Sequence, residues 1–170
     1  MHSKIELSQD DITKLKVDSI VNAANKSLLG GGGVDGAIHR AAGRKLLDEC
    51  RTLNGCDTGM AKITSAYKLP SYFIIHTVGP VWRGGTHKEE DLLRNCYIES
   101  LKLADKNDCK SVAFPNISTG IYGFPKDKAS LIAFYAVKEY LLGESNIEKV
   151  IFVCFDNENY QLYENLLKQY

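Results

Sequence analysis

The 170-residue sequence has no surplus charge of either sign: 21 Lys and Arg balance 21 Asp and Glu. A protein that lives on nucleic-acid phosphates carries a basic excess or stripe. None is visible, so a nucleic-acid partner is not expected. The five cysteines are odd in number and form no CxxC pair, which argues against a disulfide framework and a zinc ribbon and for a reducing compartment. His2, His39, His76 and His87 make no metal-ligand spacing, and GxSxG and HExxH are both missing. No metal and no cofactor is expected. No apolar run, Val150–Phe155 included, comes near the length needed to span a bilayer. Met1–Asp11 is polar and lacks the apolar stretch of a secretory leader. These absences together predict a cytoplasmic protein with no membrane partner.

What is present is an alternation of strand and helix patterns without repeats, linkers or low-complexity segments, consistent with a single domain over 1–170. Lys4–Leu7 alternates polar and apolar like an edge or half-buried strand. Ser19–Ala24 is a short strand candidate interrupted by Asn22. Val34, Ala37, Ile38, Ala41 and Ala42 form a helical stripe, which Gly43 breaks or bends before Leu46, Leu47 and Cys50 continue it. Ala61–Tyr67 and Tyr72–Val78 read as strands about the turn at Pro70–Ser71. Leu93 to Ala104 marks a long helix, Val112–Phe114 a buried strand, and Ala129 to Leu141 another helix. Val150–Phe155 is apolar on both faces, as in a central strand covered on each side. Leu162 to Leu167 closes the chain with a helix. The pattern predicts an α/β fold: a three-layer α/β/α sandwich with a mixed, largely parallel central sheet. Ligands of such sheets sit beyond the carboxyl ends of the strands.

Two loops follow strands and precede helices. The first is Gly30–Gly33 with Val34 and Asp35. Four glycines let backbone N–H groups approach a ligand without Cβ interference and lead into a helix N-terminus, an anion site; the alternative is a flexible connector. No Lys-Ser or Lys-Thr follows, so this is not a Walker A loop. The second loop is Ser118-Thr119-Gly120-Ile121-Tyr122-Gly123, either another phosphate cradle with the Tyr122 ring over a sugar or a plain turn. Two cradles suit a diphosphate better than a monophosphate.

Asn22 and Asn25 offer donors and acceptors suited to ribose hydroxyls, or cap their own loop. Asp35, in the first helical turn, either complements the helix dipole or orients a water. A helix N-terminus lowers a carboxylate pKa and so weakens it as a base. His39, four residues on, shares its face. Asp11, followed by Ile12, either accepts from an exocyclic amine or caps a helix. Phe155 either stacks on a base or belongs to the core.

The stretch from Ile20 to Gly43, with Asn22-Ala23-Ala24-Asn25 and Gly30-Gly31-Gly32-Gly33-Val34-Asp35-Gly36-Ala37-Ile38-His39, resembles the signature of macrodomains, in particular the MacroD-type branch. Ile75–Pro80, Pro115–Pro125 and Val153–Asp156 are similar to three further blocks in the same order. The family's first motif begins Gly-Asp-Ile; here Asp10 replaces the glycine and Asp11 is kept. The resemblance implies a three-layer fold with a cleft for ADP-ribose. Asp11 and Ile12 would hold adenine, with Phe155 packed nearby. Asn25 would hold the distal ribose. Gly32, Gly33 and Val34, with Ser118, Thr119, Gly120, Ile121 and Tyr122, would wrap the diphosphate and distal ribose. Asp35 and Asn25 would place the attacking water. The implied activity is metal-free hydrolysis of esters at the distal ribose, in O-acetyl-ADP-ribose or in mono-ADP-ribosylated proteins modified on acidic side chains. A non-catalytic ADP-ribose reader is the alternative. A monomer is expected.

Overall fold

The computed structural model describes residues 4–170; Met1–Ser3, His2 among them, lie outside the described residues. Six strands form one sheet: β1 (Ile5–Ser8), β2 (Ser19–Ala24), β3 (Ala61–Ser65), β4 (Phe73–Val78), β5 (Ser111–Phe114) and β6 (Lys149–Val153). Their order is β1-β6-β5-β2-β4-β3. Every pairing is parallel except β3 with β4. Among the described residues five α-helices cover the sheet, α1 (Gly33–Ala42), α2 (Arg44–Thr52), α3 (Glu89–Lys106), α4 (Lys126–Leu142) and α5 (Asn157–Gln169), and a short 3-10 helix spans Ile12–Lys14.

The two-residue period of the strands sorts the core into two faces. Ile20, Ile74, Ala113 and Ile151 pack under Ile38 of α1 and Leu46 of α2. Val21, Ile75, Val112 and Phe152 pack on the other side with Leu93 and Tyr97 of α3, Phe134 of α4 and Tyr163 of α5. The inner strands carry side chains buried on both faces, which is why their sequences read as nearly unbroken apolar runs. Gly43, with φ at +90°, separates α1 from α2.

Two expectations change. Asn22 does not interrupt β2; the strand runs through it, and Asn22 stands in register with His76 of β4. The final strand stops at Val153 rather than Phe155. Phe155 lies beyond it, with 93% of its surface exposed, because Asp156 already caps α5 by accepting from the Asn159 N–H.

The connections decide where a ligand can bind. After β2 the chain rises to α1 on one face, and after the adjacent β5 it turns to α4 on the other. Neighbouring strands that depart to opposite faces leave a crevice at their carboxyl ends. A loop from the end of β4 braces one wall. The Trp82 N–H donates to the Tyr122 carbonyl at 2.8 Å, and the Trp82 ring packs on Phe124 at 4.7 Å between centroids. This loop is tied down by Glu89 in the first turn of α3, whose carboxylate accepts from the backbone N–H groups of Arg83, Gly85 and His87. Burial opposes the charge of Glu89, but the backbone donors outweigh it and hold its pKa at about 2, against 4.5 ordinarily. Ionised Glu89 therefore stabilises the fold fully above about pH 4.5, and the contribution is lost as the pH falls through about 2. Glu89→Gln is expected to be less stable at neutral pH and to lose less stability over that acid interval than the parent, as measured by urea unfolding at stepped pH.

Candidate active site

The crevice is a cleft of about 1070 Å³ at the carboxyl ends of the strands. That is large for a small-molecule site and long enough for a dinucleotide-sized ligand. Asp11, Ile12, Asn25, Gly32, Gly33, Val34, Asp35, Phe155 and the whole of Ser118–Tyr122 line it. Both loops singled out in the sequence thus converge on one space, as do the elements flanking them.

The first wall is the start of α1. Gly32 is its N-cap and supplies no side-chain hydrogen bond, so the first-turn N–H groups of the helix lack a capping acceptor and face an anion-sized opening. The opposite wall is the loop after β5. Among the described residues, none of the backbone N–H groups of Thr119, Gly120, Ile121 and Tyr122 enters a hydrogen bond with the protein, whereas Gly123 and Phe124 close the loop onto Gly120 and Ser118. Ser118 has φ at +67°, a left-handed conformation that costs a non-glycine residue about 1–3 kcal/mol. Its buried hydroxyl has no partner among the described residues. Strain and an unsatisfied polar atom thus coincide at one residue of the cleft wall.

Asp35 sits between the walls, on the cleft floor and 5% exposed. Its Oδ1 accepts from Asn22 Nδ2 at 2.9 Å and lies 3.5 Å from His39 Nε2. Its Oδ2 points the other way: a Cβ placed on Gly31 would lie 3.1 Å from Asp35 Oδ2 and 3.3 Å from Asn25 Nδ2. The absent side chain of Gly31 therefore leaves room for a small group between the carboxylate and the amide. Burial raises the Asp35 pKa, and the Asn22 hydrogen bond and the nearby His39 only partly offset it. This corrects the expectation of a depressed pKa. A helix N-terminus contributes about 0.3–1 kcal/mol, less than one pKa unit, whereas burial can move a carboxylate by several units.

Asn25 spends most of its side chain locally. Its Oδ1 accepts from the N–H and hydroxyl of Ser27, and one N–H of Nδ2 donates to the Gly30 carbonyl at 2.9 Å. It fixes the turn into the glycine run and keeps one N–H for the cleft. Asn22 departs further from expectation. It is fully buried and does not line the cleft, so it cannot meet ribose hydroxyls; it lies beneath Asp35, because even-numbered positions of β2 face α1. Asp11 fulfils its capping role, accepting from the N–H and hydroxyl of Thr13, which lowers its pKa. It does so at the cleft rim, so capping and lining coexist there.

Arg40, Lys126 and Asn159 also line the cleft and were not singled out in the sequence. Arg40 and Lys126 lie on helical surfaces whose charges look like any solvated face. Asn159 is buried and bonds Asp156. His76 had one legible signal, a polar residue inside an apolar strand. Cys50 lies beside it, with its thiol pushed up to about 11 by burial, which leaves it no role as a nucleophile.

The Ser118 loop reaches its place only because residue 79 has no side chain: a Cβ there would fall 2.2 Å from Ser118 Oγ and 2.6 Å from Ile117 Cγ2. Gly79→Ala is expected to destabilise the protein by about 1–3 kcal/mol, visible as a lowered Tm in calorimetry. An unchanged Tm would mean that the loop shifts freely.

Residues 21–133 match the model of the Macro domain family. The chain is 56% identical over 173 residues to the O-acetyl-ADP-ribose deacetylase of Escherichia coli, an alignment covering 99% of this chain and 98% of that protein. It is 55% identical over 171 residues to the human ADP-ribose glycohydrolase, covering 98% of this chain and 40% of that protein. A variant of the Oceanobacillus iheyensis macrodomain solved with ADPR superimposes with a TM-score of 0.92 at 44% identity, over 97% of this chain and 92% of that one. Fold, cleft and both kinds of similarity converge on one assignment: the chain belongs to the macrodomain family.

Proposed function

We propose that this protein binds ADP-ribose and hydrolyses acyl esters at its distal ribose, in O-acetyl-ADP-ribose or in proteins carrying mono-ADP-ribose on acidic side chains. The observation that carries the reading is Asp35: a desolvated carboxylate on the cleft floor, with Oδ1 held by Asn22 and Oδ2 facing the gap at Gly31 beside Asn25 Nδ2. The names of the Escherichia coli and human relatives support the reaction class.

In this reading adenine lies by Asp11, Ile12 and the exposed ring of Phe155. The diphosphate takes its hydrogen bonds from the N–H groups at Gly32–Val34 and Thr119–Tyr122. Asn25 and Asp35 bracket a water at the distal ribose. The water oxygen adds to the acyl carbon, the ester C–O bond breaks, and a water proton passes by way of the carboxylate to the departing ribose oxygen. A raised pKa makes Asp35 a better proton acceptor than a free aspartate. The ligand's own phosphate shares that role where it lies close enough. A reader without turnover would need no such carboxylate. We further read the described residues as one domain, monomeric and at home in the cytoplasm, a setting that suits five buried, unpaired thiols.

Calorimetry is expected to show ADP-ribose binding to the parent and to Asp35→Ala alike, while Asp35→Ala loses most turnover of O-acetyl-ADP-ribose. Equal loss of both would make Asp35 a binding or structural residue. Because ionised Asp35 is the active form and its pKa is raised, the acid limb of kcat/KM is expected above 3.8, the ordinary carboxylate value. His39 and Cys50 are the titratable neighbours. A limb below that value would remove Asp35 as the acceptor.

A further inference from the structure

Asn22 and His76 are cross-strand partners in the β2–β4 register, and both are fully buried on the sheet face under α1 and α2. Two polar side chains in such a place cost free energy unless they are hydrogen-bonded. Asn22 Nδ2 has two hydrogens and two acceptors in reach, Asp35 Oδ1 at 2.9 Å and His76 Nδ1 at 3.1 Å. An ionised carboxylate can only accept, which fixes the nitrogen of Asn22 on this side. His76 Nδ1 must then also accept, so the ring proton sits on Nε2, which lies 2.9 Å from Thr64 Oγ1. Burial pushes the His76 pKa down to about 3, with a smaller push from His39, so the ring stays neutral. Asn22 Oδ1 has no partner among the described residues. Nothing on its oxygen side orients the amide; only the acceptors on its nitrogen side do.

We propose that His76 is a positioning residue for the reaction at Asp35: its Nδ1 lone pair locks the amide of Asn22 so that an N–H is always aimed at Asp35 Oδ1 and Oδ2 is left for the water. The hydrogen-bond chain runs from Thr64 on β3 through His76 on β4 and Asn22 on β2 to α1, so the sheet itself sets the carboxylate's angle. This inference rests on the proposed role of Asp35. His76 does not line the cleft, so it acts through Asn22.

The test uses His76→Leu, which removes the acceptor, and His76→Asn, whose Oδ1 restores an acceptor at the Nδ1 position. Turnover of O-acetyl-ADP-ribose, ADP-ribose affinity and Tm are measured for each. His76→Leu is expected to lower kcat about 10- to 100-fold with affinity little changed, and His76→Asn to recover much of the loss. In the parent, nitrogen NMR should show the neutral Nε2–H tautomer of His76 throughout the interval from about pH 5 to pH 8. If His76→Leu does not fold, His76→Asn and the tautomer decide: an Nδ1–H or protonated ring overturns the proposal. So does a folded His76→Leu with full kcat, or one in which affinity and kcat fall together. Should Asp35→Ala retain turnover, the parent reading fails; should Asp35→Ala be inactive and His76→Leu fully active, only this inference fails.

Discussion

The cleft is organised around one hydrogen bond, from Asn22 to Asp35. A carboxylate on a desolvated floor tends to take up a proton, and among the described residues the one short bond holding it in its charged form comes from a residue that is itself buried. That bond spans two layers of the fold, linking β2 to α1. It can exist only if β2 runs straight through Asn22, if α1 starts at the last glycine of the run, and if the sheet beneath is paired tightly enough to fix an amide. The parallel pairing of β2 with β4 does this by placing His76 directly beside Asn22.

The two walls of the cleft are built on different physical bases. The α1 wall offers uncapped helical N–H groups, a fixed feature of any helix start that lacks a capping side chain. The Ser118 wall is a loop forced into a left-handed turn, held from outside by the Trp82 contact to Tyr122 and by Phe124. That bracing depends on the loop before α3, which Glu89 gathers through three backbone donors. An exposed loop has little reason to hold a strained shape by itself; here Trp82 and Phe124, which do not line the cleft, hold the loop from behind. The cleft's fully exposed apolar side chains, Ile121 and Phe155, stand at its rims.

Much of the architecture was legible in the sequence because periodicity follows directly from burial. The apolar strand at Val150–Val153 and the helical stripes of α1, α3 and α4 say which faces are covered. Gly43 punctuated the two short helices as its backbone requires. The cleft loops were legible too, since four consecutive glycines before a patterned helix need a reason. Asn22 reads as an interruption because the partner of an amide in a strand is not visible in the sequence. Phe155 was ambiguous because hydrophobicity alone does not distinguish a core aromatic from one left exposed beyond a strand end. The sign of the Asp35 shift is not legible in the sequence, because a helix N-terminus is visible there and the depth of burial is not.

The layers, the two cleft loops and the resemblance that points to ADP-ribose are readable from residue order, because they depend on local pattern and on motifs contiguous in the chain. Tertiary structure alone decided what holds Asp35. Thr64, His76, Asn22 and Asp35 come from four elements and meet only through sheet register and the packing of α1. Register depends on pairing between distant strands, and a carboxylate's proton affinity depends on how much water the fold removes from it. Neither quantity is a property of neighbouring residues.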